Sequence, residues 1–246
     1  MPRDFNPDEP EMMDLPQPVS AELDGDLDNL VSLNRWFGSH RLLTHFLRRW
    51  WRPGESHRVL DLCTGAGDLP RVMVDFARAN NITLHVVALD ASPAILEIAR
   101  RRSPGYGEIN FVEGNALTYG GSGEFDFVHS ALALHHFSDD DAARMLARGR
   151  LLSTRWTLFS DLERSVLTTL GVWLLTQFIY RNPMTRHDGR LSAKRAFSFG
   201  EMRALVESAG WVGFRHARFA FCRQAVWVDC AAETEEVCLP AEACPG

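Results

Sequence analysis

One stretch, residues 58–70, constrains the fold of this 246-residue chain more than any other. An apolar run ends at Asp61, passes through a turn of small residues that includes Gly65 and Gly67, and leads into a helical pattern. This order predicts a strand, a tight turn and a helix, which together form the first unit of a nucleotide-binding α/β sheet. Glycine permits the φ and ψ angles that let a backbone approach a ligand closely.

The residues of this turn discriminate between two classes of ligand. A dinucleotide site requires Gly-x-Gly-x-x-Gly, with the pyrophosphate at the helix N-terminus. Here Pro70 occupies the third glycine position, and Asp68 places a negative charge where phosphates would lie. Asp68 is also a candidate N-cap of the helix. The turn therefore favours a cationic or zwitterionic ligand without phosphate, and S-adenosylmethionine (SAM) is the better match.

Further patterns follow at the spacing of such a sheet. Residues 84–90 predict a strand that ends at Asp90, 25 residues after Gly65. At that position a carboxylate can accept hydrogen bonds from ribose hydroxyls. The same reasoning predicts strands at 109–113, 125–130, 155–161, 213–221 and 223–229, and helices that begin at Ser92, Asp139 and Ser198.

With this ordered series, the chain resembles the class I SAM-dependent methyltransferases and is most similar to the quinone-biosynthesis-type enzymes that act on small molecules. The resemblance covers roughly residues 30–230. It implies an α/β, Rossmann-like fold with a mostly parallel sheet of seven strands, helices on both faces, an N-terminal helical cap and a helical lid insertion. It also implies SAM as the cofactor.

The resemblance assigns cofactor contacts to the methionine part of SAM (Asp61, Cys63, Gly65, Gly67 and Ser130), to the ribose (Asp90, followed by Ala91) and to the adenine (Asn115 and Ala116). Two of these residues depart from the family pattern. Cys63 stands where the family often has its first glycine, which restricts φ in the turn. Asn115 replaces the more usual acid, although its side-chain oxygen can still accept from the adenine amino group.

The composition indicates which partners, which cysteine chemistry and which compartment to expect. A net charge of −6 argues against a nucleic-acid partner, which would require a basic face. Five cysteines without Cys-x-x-Cys pairing predict reduced thiols and neither a disulfide framework nor a zinc site. The N-terminus is acidic and proline-rich and has no apolar signal-peptide core, so a cytoplasmic protein is expected.

Charge and hydropathy divide the chain into segments. Residues 1–28 carry nine acidic residues and predict a flexible acidic tail, and residues 231–246 predict a second tail. Residues 29–53 predict amphipathic helices broken near Gly38, acting either as a cap over the cofactor or as ordinary core helices. Residues 54–230 form the methyltransferase domain, with the lid insertion at about 162–196.

The lid region contains sixteen residues without a charge between Arg164 and Arg181. This run is shorter than the ~20 apolar residues of a membrane span and is interrupted by polar residues. We expect a lid over an apolar substrate, while a core helix or a homodimer interface stays open. Residues 181–190 predict a polar loop.

Methyl transfer from a sulfonium is an in-line displacement, in which the protein mainly aligns the reactants and excludes water. A hydroxyl acceptor also benefits from a general base, for which histidine is suited near neutral pH. The candidates are His135 and His136 after the fourth strand and His187 beside Asp188, each with a structural role as the alternative. His129 is predicted to be a buried structural histidine. No metal is expected.

The favoured function is methyl transfer from SAM to a small aromatic or lipid-like acceptor, at oxygen or carbon. A nicotinamide-dependent Rossmann oxidoreductase is the first alternative, against which Asp68 and Pro70 already count. A non-catalytic SAM-binding protein is the second. The expected partner is an apolar or phenolic small molecule.

Overall fold

A computed structural model describes residues 2–229. Seven strands form one sheet in the order β3-β2-β1-β4-β5-β7-β6, in which β7 alone runs antiparallel to both of its neighbours. The predicted Rossmann-like class with a mostly parallel sheet is confirmed. The strands are β1 Ser56–Leu62, β2 Thr83–Asp90, β3 Ile109–Glu113, β4 Phe125–Ala131, β5 Ser153–Leu162, β6 Arg215–Phe219 and β7 Arg223–Asp229.

Eight α-helices surround this sheet in the described part of the chain. They are α1 Ala21–Trp36, α2 Ser39–Trp50, α3 Asp68–Ala79, α4 Pro93–Arg101, α5 Asp139–Leu152, α6 Val166–Phe178, α7 Pro183–Arg195 and α8 Phe199–Ser208. Within residues 2–229, no helix has both the length and the apolarity needed to cross a bilayer.

Strand alternation creates a core on each face of the sheet. Val59 points to the side covered by α2 and α3, whereas Leu60 and Leu62 point to the side covered by α5 and α8. Phe46 and Leu47 of α2 are almost completely buried, and each such side chain contributes about 1.5–3 kcal/mol to stability. The two cores hold the carboxyl ends of the strands rigidly at one edge.

The chain order reverses between β1 and β4, which pair directly, and ligands bind at such a switch point in open α/β sheets. Both α1 and α2 precede β1, and the predicted break between them lies at Gly38, whose φ of 99° suits glycine. The capping box of α8 between Ser198 and Glu201 forms as predicted.

The N-terminal segment (residues 2–20) differs from the predicted flexible tail, because its acidic and amide groups find partners. Glu11 is buried and accepts a hydrogen bond from Ser192 Oγ at 2.9 Å. The backbone N–H groups of Met12 and Met13 donate to the carboxylate of Asp188 at 2.8 and 3.0 Å. Acidic composition therefore reflects contacts with α7 rather than disorder, and α1 already begins at Ala21.

One helix replaces a predicted loop. Residues 183–195 form α7 instead of a polar loop, because the Asn182 side chain caps the first amides and Pro183 suits the first helical position. Helix α5 begins at Asp139, as predicted, and ends at Leu152. Its Gly149 packs against Phe159 so closely that a Cβ atom would lie 2.7 Å from the ring. The expected tail at 231–246 lies outside the described residues.

Candidate functional site

A cavity of about 1110 Å³ lies at the carboxyl edge of the sheet, between the turn after β1, the N-terminal segment, α1, α6 and α7. Most of the residues expected to contact SAM line one side of it, which we call the cofactor side: Asp61, Cys63, Gly65, Asp90 and Ala91. The fold therefore brings residues from two separate strand ends to one wall of the cavity.

The turn between β1 and α3 has three residues with left-handed φ angles, namely Cys63 at 57°, Gly65 at 54° and Gly67 at 69°. A Cβ atom on Gly67 would lie 2.9 Å from the Phe111 ring, whereas none of the described atoms lies within 4 Å of a Cβ on Gly65. Gly67 thus serves close packing, and Gly65 leaves open space toward the cavity.

Asp90 connects this turn to the next strand end. Its Oδ2 accepts the N–H of Gly65 at 2.9 Å, and its Oδ1 accepts the N–H of Ser92 at 3.0 Å. Burial raises the pKa of Asp90, against the effect of these two hydrogen bonds. The carboxylate consequently orders both loops at the cavity wall.

Asp61 is buried at the end of β1 and is held from two sides. Its Oδ2 accepts the hydroxyl of Thr64 at 2.6 Å, and its Oδ1 lies 2.6 Å from His129 Nδ1. His129 is buried with this carboxylate partner, as predicted for a structural histidine. The pair stiffens the base of the turn beneath the cavity.

Asp68 differs from its predicted role as a helix cap. The N-cap position of α3 belongs to Gly67, and no side chain caps it. The Asp68 carboxylate instead accepts from Asn34 Nδ2 at 3.2 Å and lies 2.8 Å from His40 Nε2. It therefore ties α1 and α2 to the turn, which sequence spacing could not indicate.

Four of the expected cofactor residues do not line the cavity. Gly67 packs on the Phe111 ring, Ala116 is buried in the core, and Ser130 Oγ donates to the carbonyl of Leu62 at 3.0 Å. The side-chain oxygen of the exposed Asn115 accepts the N–H of Leu117 at 2.8 Å, which leaves one of its two lone pairs for another donor. The roles of these four residues stay predictions.

The two histidines after β4 lie in the cavity wall but differ in environment. His135 is buried, and its Nδ1 lies 2.7 Å from Asp161 Oδ1, while its backbone N–H donates to Asp161 Oδ2 at 3.1 Å. Asp161 at the end of β5 therefore fixes the ring orientation. With a proton on Nδ1, the neutral ring keeps Nε2 as an acceptor.

His136 contacts the N-terminal segment. Its Nδ1 lies 2.6 Å from Asp14 Oδ2, and its Nε2 lies 3.8 Å from Glu11 Oε2. Burial lowers the pKa of His136, but the charges of Glu11 and Asp14 outweigh this effect and raise it to about 10. His136 is therefore protonated at neutral pH and is not available as a base.

The structure places His187 away from the other two histidines. It lies on the partly exposed side of α7, with Nδ1 2.8 Å from Asp188 Oδ1, and faces a separate groove beside Arg186 and Arg190. The predicted pairing with Asp188 forms, but only Asp188 lines the large cavity, and His187 does not. In this arrangement His187 cannot reach an acceptor there.

Sequence reasoning missed Glu11, Asp14, Asp161 and Arg223 as residues of the site region. Glu11 and Asp14 lie in the segment predicted to be a flexible tail. Asp161 lies near the end of β5 and Arg223 begins β7, and no sequence signal marked either position as part of a site. Glu11, His135 and His136 also bring three potential ligand atoms within 4.8 Å of one another, but a protonated His136 has no lone pair for a metal ion.

Backbone strain concentrates at the cavity. Among the described residues, five non-glycine positions have left-handed φ angles, and four of them line the cavity: Cys63, Leu132, Phe221 and Cys222. A left-handed conformation costs about 1–2 kcal/mol for an ordinary residue. Such strain persists only where the surrounding structure over-determines it, which is typical of ligand sites.

Helix α6 supplies an apolar part of the cavity wall through Leu167, Gly171, Val172 and Leu175. The side chains that it buries most deeply are Thr168 and Thr176, whose hydroxyls bond to carbonyl groups. The remaining apolar residues of this helix face solvent, with Val166, Leu170, Trp173, Leu174 and Phe178 between 43% and 76% exposed.

Comparison with known proteins agrees with this geometry. Residues 59–152 match a methyltransferase domain. The chain is 29% identical over 193 residues to a 2-phytyl-1,4-naphtoquinone methyltransferase of Thermosynechococcus vestitus, covering 73% of this chain and 83% of that protein. It is 37% identical over 99 residues to a demethylmenaquinone methyltransferase of Thermus thermophilus, covering 37% of this chain and 43% of that protein.

Solved structures show the same fold. Human N-acetylserotonin methyltransferase in complex with SAM superposes with a TM-score of 0.60 at 17% identity, over 82% of this chain and 54% of that one. A SAM-dependent methyltransferase from Aquifex aeolicus gives a TM-score of 0.58 at 16% identity, over 83% and 96% of the two chains. The chain is a SAM-dependent methyltransferase of the class I fold, similar to the quinone methyltransferases.

Proposed function

We propose that this enzyme methylates an oxygen or a ring carbon of an apolar phenol or quinol. The observation that carries the proposal is the division of one cavity into two walls. Carboxylates and Gly65 line the cofactor side, and the uncharged helix α6 lines the other. An apolar aromatic acceptor fits the second wall, and one similar protein is named for a naphthoquinone bearing a phytyl chain.

For the cofactor, we propose that Asp90 accepts hydrogen bonds from the ribose hydroxyls and that the open space over Gly65 receives the methionine part of SAM. The cluster of Asp61, Asp68 and Asp90 at this wall suits a sulfonium, because these carboxylates attract a positive charge. Asn115, Ala116 and Ser130 would join these contacts only after a rearrangement of their present hydrogen bonds or packing.

We propose His135 as the general base. Asp161 holds its Nδ1 at 2.7 Å, so the neutral ring can take the acceptor's hydroxyl proton through Nε2. His136 carries its own proton between Glu11 and Asp14, and His187 lies outside the cavity. The reaction is then an in-line displacement at the SAM methyl group, with the oxygen or carbon of the acceptor as nucleophile.

The exposed apolar side of α6 supports the homodimer interface that the sequence left open for this helix, since a contiguous apolar surface is typical of an interface. Absence of a nucleic-acid partner and a cytoplasmic location stay predictions from composition.

Turnover by matched variants tests the proposal. The purified protein would be incubated with methyl-labelled SAM and reduced menadione or 1-naphthol, and labelled product would be counted. His135→Ala is expected to lose about 10²–10⁴-fold in turnover, the usual contribution of a general base, with unchanged affinity for S-adenosylhomocysteine. His187→Ala is the control, because His187 also pairs with an aspartate but does not itself line the cavity.

Full activity of the His135→Ala variant would refute the assignment of the base. Cofactor binding without methylation of any phenol or quinol would instead favour the non-catalytic alternative.

A further inference from the structure

Arg223 is a buried cation in the wall of the cavity. It begins β7 and pairs in register with Leu162, the last residue of β5. Its side chain lines the cavity although the residue is only 4% exposed. The neighbouring residue of β5 is Asp161, which orients His135. Arg223 and the proposed base therefore converge on the same strand end.

The hydrogen bonds of Arg223 use little of its capacity. Its Nε donates to the carbonyl of Phe37 at 3.2 Å, and within residues 2–229 no other hydrogen bond and no carboxylate within 4.0 Å is found for its guanidinium. The other two buried arginines differ. Arg164 pairs with Glu201 at 2.7 Å, and Arg195 donates to the carbonyls of Asn6 and Glu9.

The position of Arg223 is fixed by a strained hairpin. Phe221 and Cys222 precede it with φ angles of 61° and 56°, and the Phe221 ring packs edge-to-face on Phe37 at 5.7 Å. Two consecutive left-handed residues cost free energy, so the surrounding contacts must hold this turn in place. The guanidinium is thereby presented to the cavity from a rigid support.

Arg223 is unusual because it faces a cavity that is lined mainly by acidic residues among its charged groups. Among the described residues that line the cavity, Arg223 is the only arginine or lysine, while the cofactor wall carries Asp61, Asp68 and Asp90. Burial lowers the pKa of Arg223 to about 10, so it remains charged at neutral pH. A buried charge with donors to spare is costly unless a ligand completes its hydrogen bonds.

We infer that Arg223 binds an oxyanion of the acceptor, either a carboxylate or an ionised phenol, beside the hydroxyl that His135 deprotonates. The planar guanidinium presents paired N–H groups that match two oxygens of such a group. The inference rests on the proposed function, because it requires the acceptor to bind beside His135. It adds that the apolar acceptor carries an acidic oxygen and that Arg223 determines this specificity.

Binding of two matched probes tests this without requiring turnover. We would measure dissociation constants of 1-hydroxy-2-naphthoate and 1-naphthol by tryptophan fluorescence, with the full chain saturated with S-adenosylhomocysteine. The wild-type protein is expected to bind the carboxylate probe at least about tenfold more tightly. Arg223→Gln should abolish this preference, and Arg223→Lys, which keeps the charge without the planar fork, should retain part of it.

Arg218→Gln is the matched control, because Arg218 lies on the adjacent strand β6 and pairs with Glu163 on an exposed surface. It should leave both affinities unchanged. Equal affinity of the wild type for the two probes, binding of neither, or an unchanged preference in Arg223→Gln would overturn the inference. So would a loss of S-adenosylhomocysteine affinity with the probe preference intact, which would assign Arg223 to the cofactor carboxylate. Binding preference without methylation of any acceptor would contradict the proposed function alone.

Discussion

Replacement of Asp90 by alanine separates cofactor binding from loop stability. The Asp90 carboxylate accepts the N–H groups of Gly65 and Ser92, and it is proposed to accept the ribose hydroxyls as well. The substitution therefore removes one ligand contact and two backbone contacts together. Loss of the ligand contact should weaken cofactor binding, and loss of the two backbone contacts should lower the free energy of unfolding.

The magnitudes follow from the hydrogen bonds. A hydrogen bond to a charged group contributes about 1.5–3 kcal/mol, and 1.4 kcal/mol corresponds to a factor of ten in affinity. Loss of one ribose contact in Asp90→Ala should weaken cofactor binding by about 10- to 100-fold. The two amides left without their acceptor should lower the free energy of unfolding by about 1–3 kcal/mol.

Titration calorimetry with S-adenosylhomocysteine and urea unfolding would measure the two effects. Asp126→Ala is the control, because Asp126 Oδ2 accepts the backbone N–H of Arg58 at 2.8 Å, near the opposite edge of the sheet. That variant should lose stability with no change in cofactor affinity. An unchanged dissociation constant for Asp90→Ala would refute the ribose assignment, whatever happens to stability.

Four further outcomes are expected. The pKa of His136 is raised from 6.5 to about 10, so its protonation should stabilise the fold fully below pH 6.5 and lose this effect as the pH rises toward 10. In urea unfolding, the free energy of unfolding of His136→Gln should therefore depend less on pH than that of the wild type. Burial raises the pKa of Asp26 from 3.8 to about 6, so its ionised form destabilises the fold at pH 7. Asp26→Asn should therefore raise the free energy of unfolding in urea by about 1–3 kcal/mol at pH 7, and this gain should disappear below pH 4. Gly67→Ala should lower the melting temperature more than Gly65→Ala, because only the first places a Cβ against a packed ring, and equal losses would contradict this reading. Trp173→Glu should shift light-scattering mass from dimer to monomer, and a monomeric wild-type protein would argue against the α6 interface.

Local patterns were sufficient for the sheet and the cofactor wall. The run before Asp61, the glycines of the turn and the acid at the end of β2 are short-range signals, and parallel strands place their carboxyl ends at one edge. The run of sixteen residues without a charge likewise located helix α6, although not which of its faces would be covered. Polar composition misled at α7, where the capping geometry of Asn182 and Pro183 outweighs the loop-like residues that follow.

The sequence by itself thus determined the class of fold, the class of cofactor and the edge of the sheet at which both meet, since each depends on neighbouring residues. Only the tertiary structure gave the two histidines the different environments on which the proposal of His135 as the base rests, because Asp161 and Asp14 reach His135 and His136 from 26 and 122 residues away. It also brought Glu11 to Ser192, across 181 residues, and turned an acidic tail into part of the site region. Contacts over such separations depend on how the elements pack, and no local pattern encodes them.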